Sequence, residues 1–185
     1  MNVLRHLPNF LTSLRIAAAP MLAILLINGA DRAALGVFAF AGLSDAVDGF
    51  LAKRFGLATS FGRFLDPAAD KLLMLACFLA LTALKVTPVW LMLLVIARDA
   101  AIISGILLAR LLTIPLGVAP LAIGKACTAM QIAYIALALL LLTLGRRWPA
   151  AEMFAADGTA LLTIASWVAY AGVGLRALAR RREAA

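Results

Sequence analysis

The chain has 185 residues, 65% of them hydrophobic, with a mean hydropathy of +1.03 and a formal net charge of +8. That composition excludes an ordinary soluble globular domain and indicates a membrane protein. The basic residues flank apolar stretches, so they indicate membrane topology and contact with anionic lipid, and no nucleic-acid partner is expected.

The chain divides by its apolar runs. Residues 1–9 mix Leu4 and Leu7 with Arg5 and His6 and end on Pro8-Asn9. They are expected to form a short amphipathic segment on the membrane surface. A cleaved signal peptide fits less well, because Asn9, Thr12 and Arg15 interrupt the apolar run. A first span is predicted over 10–28, with a turn at Asn28-Gly29-Ala30-Asp31, and a second over 32–54. The uninterrupted apolar part of the second, Ala33 to Leu43, is too short for a bilayer, which needs about 20 residues. The helix must therefore continue through Asp45 and Asp48 and carry both acids at its inner end. Phe55 to Leu65, with Gly56, Thr59, Ser60 and Gly62, is expected to be a loop. Asp66-Pro67 looks like an N-cap followed by proline at the first helical position. The third span then covers 66–84, with Asp70 one turn inside.

Thr87-Pro88 opens a fourth span over 88–112, and Pro115 to Pro120 is a connection. The fifth span is 121–144. Gly145 to Pro149 is a turn, 150–157 an exposed polar segment, and 158–178 the sixth span, followed by the basic tail Arg180-Arg181-Arg182. The expected fold is a single all-α integral membrane domain over 1–185, with six transmembrane helices and the short interfacial segment before them. Six spans put both ends on one side. Arg32, Lys85, Arg146 and Arg147 fall on the other side, and the rest of the 17 basic residues fall with the ends or within spans. The positive-inside bias therefore places both termini and the acids in the cytoplasm, as in a bacterial inner membrane or its equivalent.

Four of the nine acidic residues lie between Ser44 and Lys71: Asp45, Asp48, Asp66 and Asp70. Carboxylates in such apolar surroundings are a functional hypothesis by default. Asp45 and Asp48 are three apart, and Asp66 and Asp70 four apart, so each pair shares a helix face. Taken singly, Asp66 is equally well a helix cap, and Asp45 and Asp48 interfacial residues. Together, four carboxylates at one place repel unless a cation joins them. With one histidine and two separated cysteines, Cys77 and Cys127, no His/Cys metal cluster can form. The cysteines are expected to be small buried residues. The metal would be oxygen-bound Mg²⁺ or Mn²⁺, as two ions about 3.5–4 Å apart.

The pattern Asp45-x-x-Asp48-Gly49-x-x-Ala52-Lys53, eight residues, then Gly62-x-x-x-Asp66-x-x-x-Asp70 closely resembles the signature of the CDP-alcohol phosphatidyltransferases, membrane enzymes of phospholipid synthesis. Lys53 stands where that family usually has arginine, and keeps the positive charge. The resemblance implies that Asp45, Asp48, Asp66 and Asp70 hold metal and that Asp70 is the catalytic base. Ser44, Gly49, Ala52, Lys53 and Gly62 would surround the CDP moiety of CDP-diacylglycerol. The start Pro8-Asn9-x-x-Thr12-x-x-Arg15 resembles the family's glycerophospholipid branch; Asn9, Thr12 and Arg15 recur every three residues as one polar stripe expected to face the nucleotide, with Asn9 and Thr12 its contacts. They fit an interfacial helix start equally well.

In the fourth span Arg98 is followed by Asp99. Arg98 either pairs with Asp99 or reaches the acceptor's phosphate, for which a planar guanidinium suits. Lys125, in Gly124-Lys125-x-x-Thr128-x-x-Gln131, either completes that pocket or snorkels to the interface. Trp90, Trp148 and Trp167 are expected in interfacial belts. The small-residue stripe Ala97, Ala101 and Gly105 fits close helix packing or a homodimer.

The resemblance thus implies a phosphatidyl transfer from CDP-diacylglycerol to an alcohol with release of CMP. The acceptor is expected to be phosphatidylglycerol, with glycerol 3-phosphate the alternative. A cation or proton transporter is the rival from another class, but it would hold its acids near the midplane on broken helices. An inactive scaffold would have no use for the complete acid set.

Overall fold

The computed structural model describes the backbone of residues 3–55, 62–111 and 121–183, and within them most side chains from 13–45, 69–111 and 121–179. The described residues are helical between short turns: α1 Val3–Ile27, α2 Asp31–Phe55, α3 Gly62–Ala83, α4 Val89–Leu111, α5 Ala122–Thr143 and α6 Pro149–Glu183. The all-α expectation is borne out. Among the described residues, three helical stretches are long and apolar enough to cross a membrane: Val89–Ala109, Ala122–Thr143 and Pro149–Ala177. They mark an integral membrane protein. The apolar part of α1, Ser13–Ile27, is shorter.

Three local expectations are corrected. Helix α1 runs unbroken through Pro8-Asn9 and again through Pro20. Each proline removes one backbone hydrogen bond, which membrane helices tolerate where neighbouring groups re-satisfy the freed carbonyl. Helix α3 begins at Gly62, so Gly62 to Leu65 are helical and Asp66 lies one turn inside rather than at the cap. Helix α6 begins at Pro149 and takes in residues 150–157. Pro149 occupies the first helical position, where its missing N–H costs nothing. The Trp148 N–H donates to Glu152 Oε1 at 3.1 Å, and the Glu152 N–H to the Trp148 carbonyl at 2.9 Å. These bonds stiffen the start of α6, and Ala155 and Ala156 are buried rather than exposed.

Three helix ends close alike, on a residue of positive φ: Gly29 (71°) after α1, Lys85 (58°) after α3 and Gly145 (59°) after α5. At each, the next residue's N–H reaches back five positions: Ala30 to Leu25, Val86 to Leu81 and Arg146 to Leu141. This is the Schellman closure, which favours glycine. Lys85 adopts it with a side chain.

The chain forms two compact units, Met1–Val86 with Ile135–Arg147, and Thr87–Tyr134 with Trp148–Ala185. In the first, α1 packs against both α2 and α3. Arg15, Ala19, Leu22 and Leu26 recur at helical spacing, and all are buried. On α3 the matching row is Asp70, Met74, Cys77 and Leu81, the last three buried. On α2 Ala34 and Ala41 are buried, with Asp45 one turn on. Alanines allow close helix approach, and where lipid replaces water such packing holds helices together instead of hydrophobic transfer.

In the second unit α4 packs on α6. Its interior is unusually polar: Thr87, Arg98, Gln131, Thr159, Thr163 and Ser166 are all buried.

Candidate functional site

The first unit brings three charged side chains together, one from each packed helix. The side chain of Arg15, 2% exposed, lies at the head of the α1 row. It donates from Nη1 to Asp70 Oδ1 at 2.9 Å, and its Nη2 lies 3.0 Å from Asp45 Oδ1. Asp45 lies in the second half of α2 and Asp70 in the first half of α3, so one guanidinium on α1 holds a carboxylate of each. Charge-assisted contacts through a planar fork are the stronger kind of hydrogen bond. They suit arginine better than lysine, because its donors sit in a fixed plane. The side chains of Asp45 and Asp70 remain 49% and 43% exposed. Each therefore has an accessible portion beyond the oxygen given to Arg15.

Asp45 and Asp70 thus contact the same guanidinium. The side chains of Asp48 and Asp66 lie outside the described residues, as do those of Asn9, Thr12, Gly49, Ala52, Lys53 and Gly62. Their backbone is helical, in α1, α2 and α3. Asp45 and Asp48 share helix α2, and Asp66 and Asp70 share α3, as their spacing requires. Among the described residues, no three His, Cys, Asp or Glu side chains gather to hold a metal. Ser44 donates its hydroxyl to the Phe40 carbonyl one turn back at 2.7 Å, which leaves its oxygen lone pairs as acceptors.

Arg98, 4% exposed, belongs to the second unit. It donates from Nη1 to Asp99 Oδ1 at 2.7 Å and from Nη2 to Ser166 Oγ at 2.5 Å. Its guanidinium carbon lies 5.7 Å from the centroid of the Tyr170 ring, within cation–π range. Of the two alternatives for Arg98, the ion pair with Asp99 is present, and Arg98 also ties α4 to α6. Lys125, near the start of α5, is exposed. Thr128 donates to the Gly124 carbonyl of its own helix at 3.2 Å. Trp90 and Trp148 are exposed, as interfacial residues would be.

Two features were not singled out from the sequence. Arg15 was expected only as part of a polar stripe with Asn9 and Thr12. Its helical spacing to Ala19, Leu22 and Leu26 was the available signal that it faces packed helices. The second is the polar seam of the second unit. Cys127 Sγ lies 3.6 Å from Thr163 Oγ1, Gln131 Nε2 donates to Cys127 Sγ at 3.5 Å, and Tyr134 donates to Thr87 Oγ1 at 3.1 Å. Thr159, Thr163 and Ser166 on α6 mark that seam at helical period.

Comparison with known proteins agrees with the motif. The family described as CDP-alcohol phosphatidyltransferase matches residues 5–175. The chain is 41% identical over 110 residues to the human cardiolipin synthase (CMP-forming), covering 59% of this chain and 36% of that protein. It is 33% identical over a 187-residue alignment to a probable phosphatidylglycerophosphate synthase of Mycobacterium tuberculosis, covering 97% of this chain and 87% of the relative. It is 36% identical over 112 residues to the Bacillus subtilis CDP-diacylglycerol–glycerol-3-phosphate 3-phosphatidyltransferase, covering 52% and 58%. The chain thus spans about a third of the human relative's length and most of the mycobacterial one's.

Proposed function

The chain belongs to the CDP-alcohol phosphatidyltransferase family, and from that premise we propose that it moves a phosphatidyl group from CDP-diacylglycerol to an alcohol with release of CMP. The observation that carries this reading is the convergence of Asp45 and Asp70, both signature acids, on one buried arginine.

The family is generally divalent-metal dependent. The described residues fit such an ion: hard carboxylate oxygens, brought together from two helices and still half exposed. Asp45, Asp48, Asp66 and Asp70 would hold two Mg²⁺ or Mn²⁺ ions, which when bound clamp the pyrophosphate and stabilise charge in an in-line displacement. Asp70 takes the proton from the acceptor hydroxyl. The hydroxyl oxygen then bonds to the β-phosphorus as the bond from that phosphorus to CMP breaks. Lys53 neutralises phosphate charge, while Ser44, Asn9 and Thr12 supply polar contacts to the nucleotide. Gly49, Ala52 and Gly62 leave it room.

The proposed topology has six spans, with the acids and both termini on the cytoplasmic face of a bacterial inner membrane or its equivalent. The acceptor is phosphatidylglycerol and the product cardiolipin. Support comes from Arg98-Asp99 and from Gly124-Lys125-x-x-Thr128-x-x-Gln131, which resemble that branch more than the glycerol 3-phosphate one. Arg98 and Lys125 are the proposed contacts to the acceptor's phosphate. A homodimer through the Ala97, Ala101 and Gly105 stripe is part of the reading.

The test is purified protein with CDP-diacylglycerol and Mg²⁺, supplied separately with labelled phosphatidylglycerol and labelled glycerol 3-phosphate. Labelled cardiolipin and CMP are expected in the first reaction. Incorporation of glycerol 3-phosphate alone overturns the acceptor, and no CMP with any alcohol overturns the reaction class.

A further inference from the structure

We infer that Arg15 is a positioning residue for the metal-binding carboxylates. It is not a placeholder cation that metal displaces. The inference rests on the metal reading above and adds a member to it from α1, a helix that contributes none of the four acids.

A guanidinium between two proposed metal ligands has two physical interpretations. In one, Arg15 occupies the cation's place and must leave when metal arrives. In the other, it stays and fixes the angle at which each carboxylate is presented. Burial decides between them. The Arg15 side chain is 2% exposed and belongs to the packed row with Ala19, Leu22 and Leu26. Turning away from both acids would take a buried cation away from two compensating charges, a change that is strongly unfavourable. The acids have no such constraint, because their side chains are 49% and 43% exposed. A carboxylate has about four acceptor positions over two oxygens. Each Asp contacts Arg15 through Oδ1, and its half-exposed side chain is still accessible to a cation. Outer groups that orient metal ligands in this way are typically worth about 10–100-fold in metal affinity.

The two interpretations predict opposite signs. Removing a competing, like-charged group tightens cation binding. Removing a positioning group weakens it, because Asp45 and Asp70 then splay with their separate helices. Lysine keeps the charge but lacks the fork that contacts both acids at once.

The experiment titrates Mn²⁺ into the intact wild type, Arg15→Lys and Arg15→Met in detergent, reading free Mn²⁺ by electron paramagnetic resonance. The thiol of Cys77, 0% exposed in the same unit, must stay shielded from a thiol reagent in each sample, which certifies folding. The expected result is Mn²⁺ affinity ~10–100-fold weaker in Arg15→Met and intermediate in Arg15→Lys. If Arg15→Met does not fold, Arg15→Lys carries the test by itself. Unchanged or tighter Mn²⁺ binding in the folded variants overturns the inference alone. A wild type that binds no Mn²⁺ overturns the metal reading and this inference with it.

Discussion

Replacing Arg98 with methionine, which is of similar length, separates a structural role from a substrate-binding one. The change removes the 2.5 Å bond to Ser166, the 2.7 Å contact to Asp99 and the cation over Tyr170. The Asp99 contact lies within α4 and adds little to helix association. The bond to Ser166 links α4 to α6, and a hydrogen bond to a charged group is worth about 1.5–3 kcal/mol. The cation–π contact adds about 0.5–2 kcal/mol. The other α6 hydroxyls do not substitute for it, since Thr159 and Thr163 donate to carbonyls of their own helix, those of Ala155 and Thr159. The expected loss is therefore about 2–5 kcal/mol. At about 2–4 °C per kcal/mol for a chain of this size, Tm falls by roughly 4–20 °C.

The chain supplies its own reporter for that measurement. Cys77 and Cys127 are both free and buried, one in each unit. In a Cys77→Ala background, Cys127 on α5 is the single thiol and reports opening of the second unit to a fluorogenic maleimide. Arg98→Met should melt early, and Arg98→Lys should fall between it and the background. A melt within about 2 °C of the background would refute the clamp, and an unchanged acceptor KM in the folded variant would refute the separate proposal that Arg98 contacts the acceptor's phosphate.

Lys85→Gly, followed through Cys77 of the same unit in a Cys127→Ala background, should raise Tm by the equivalent of about 1 kcal/mol, because Lys85 takes a left-handed φ of 58° that glycine adopts without strain. Gly124→Ala should cost more stability than Gly158→Ala. A Cβ at 124 would stand 2.8 Å from the Tyr170 hydroxyl and 3.1 Å from its ring, whereas at 158 it meets only the mobile methyl of Met130 at 2.9 Å. Equal melting of the two variants would contradict this. Asp70→Asn should still bind CDP-diacylglycerol with metal yet release CMP ~10²–10⁴-fold more slowly. Loss of nucleotide affinity with an unchanged rate at saturation would make Asp70 a ligand only.

How much of this was legible in the sequence depended on which force decided each feature. The fourth and fifth helices, expected at 88–112 and 121–144, occur at Val89–Leu111 and Ala122–Thr143. Their apolar windows are long and bounded by proline, so composition alone delimits them. The starts of α1, α3 and α6 were misjudged wherever proline or polar residues were taken as breaks. Pro8 and Pro67 each cost one backbone bond, and where water is excluded the helix is still the cheapest way to satisfy the remaining bonds. Residues 150–157 are helical because Pro149 and Glu152 secure the helix start, despite their polarity.

The acids were legible because a carboxylate in apolar sequence needs a reason to be there. Their partner was not, because Arg15 belongs to two rows at once. Counted by threes from Asn9 and Thr12 it joins a polar stripe, and counted by fours and threes toward Leu26 it joins the packed face. One residue supports both periods, and only the approach of α2 and α3 decides between them. The seam of the second unit escaped notice for a related reason. Cys127, Thr159, Thr163 and Ser166 barely lower the hydropathy of their windows, yet Cys127 Sγ meets Thr163 Oγ1 at 3.6 Å between α5 and α6, in a medium without water. There such contacts determine which faces of α5 and α6 meet.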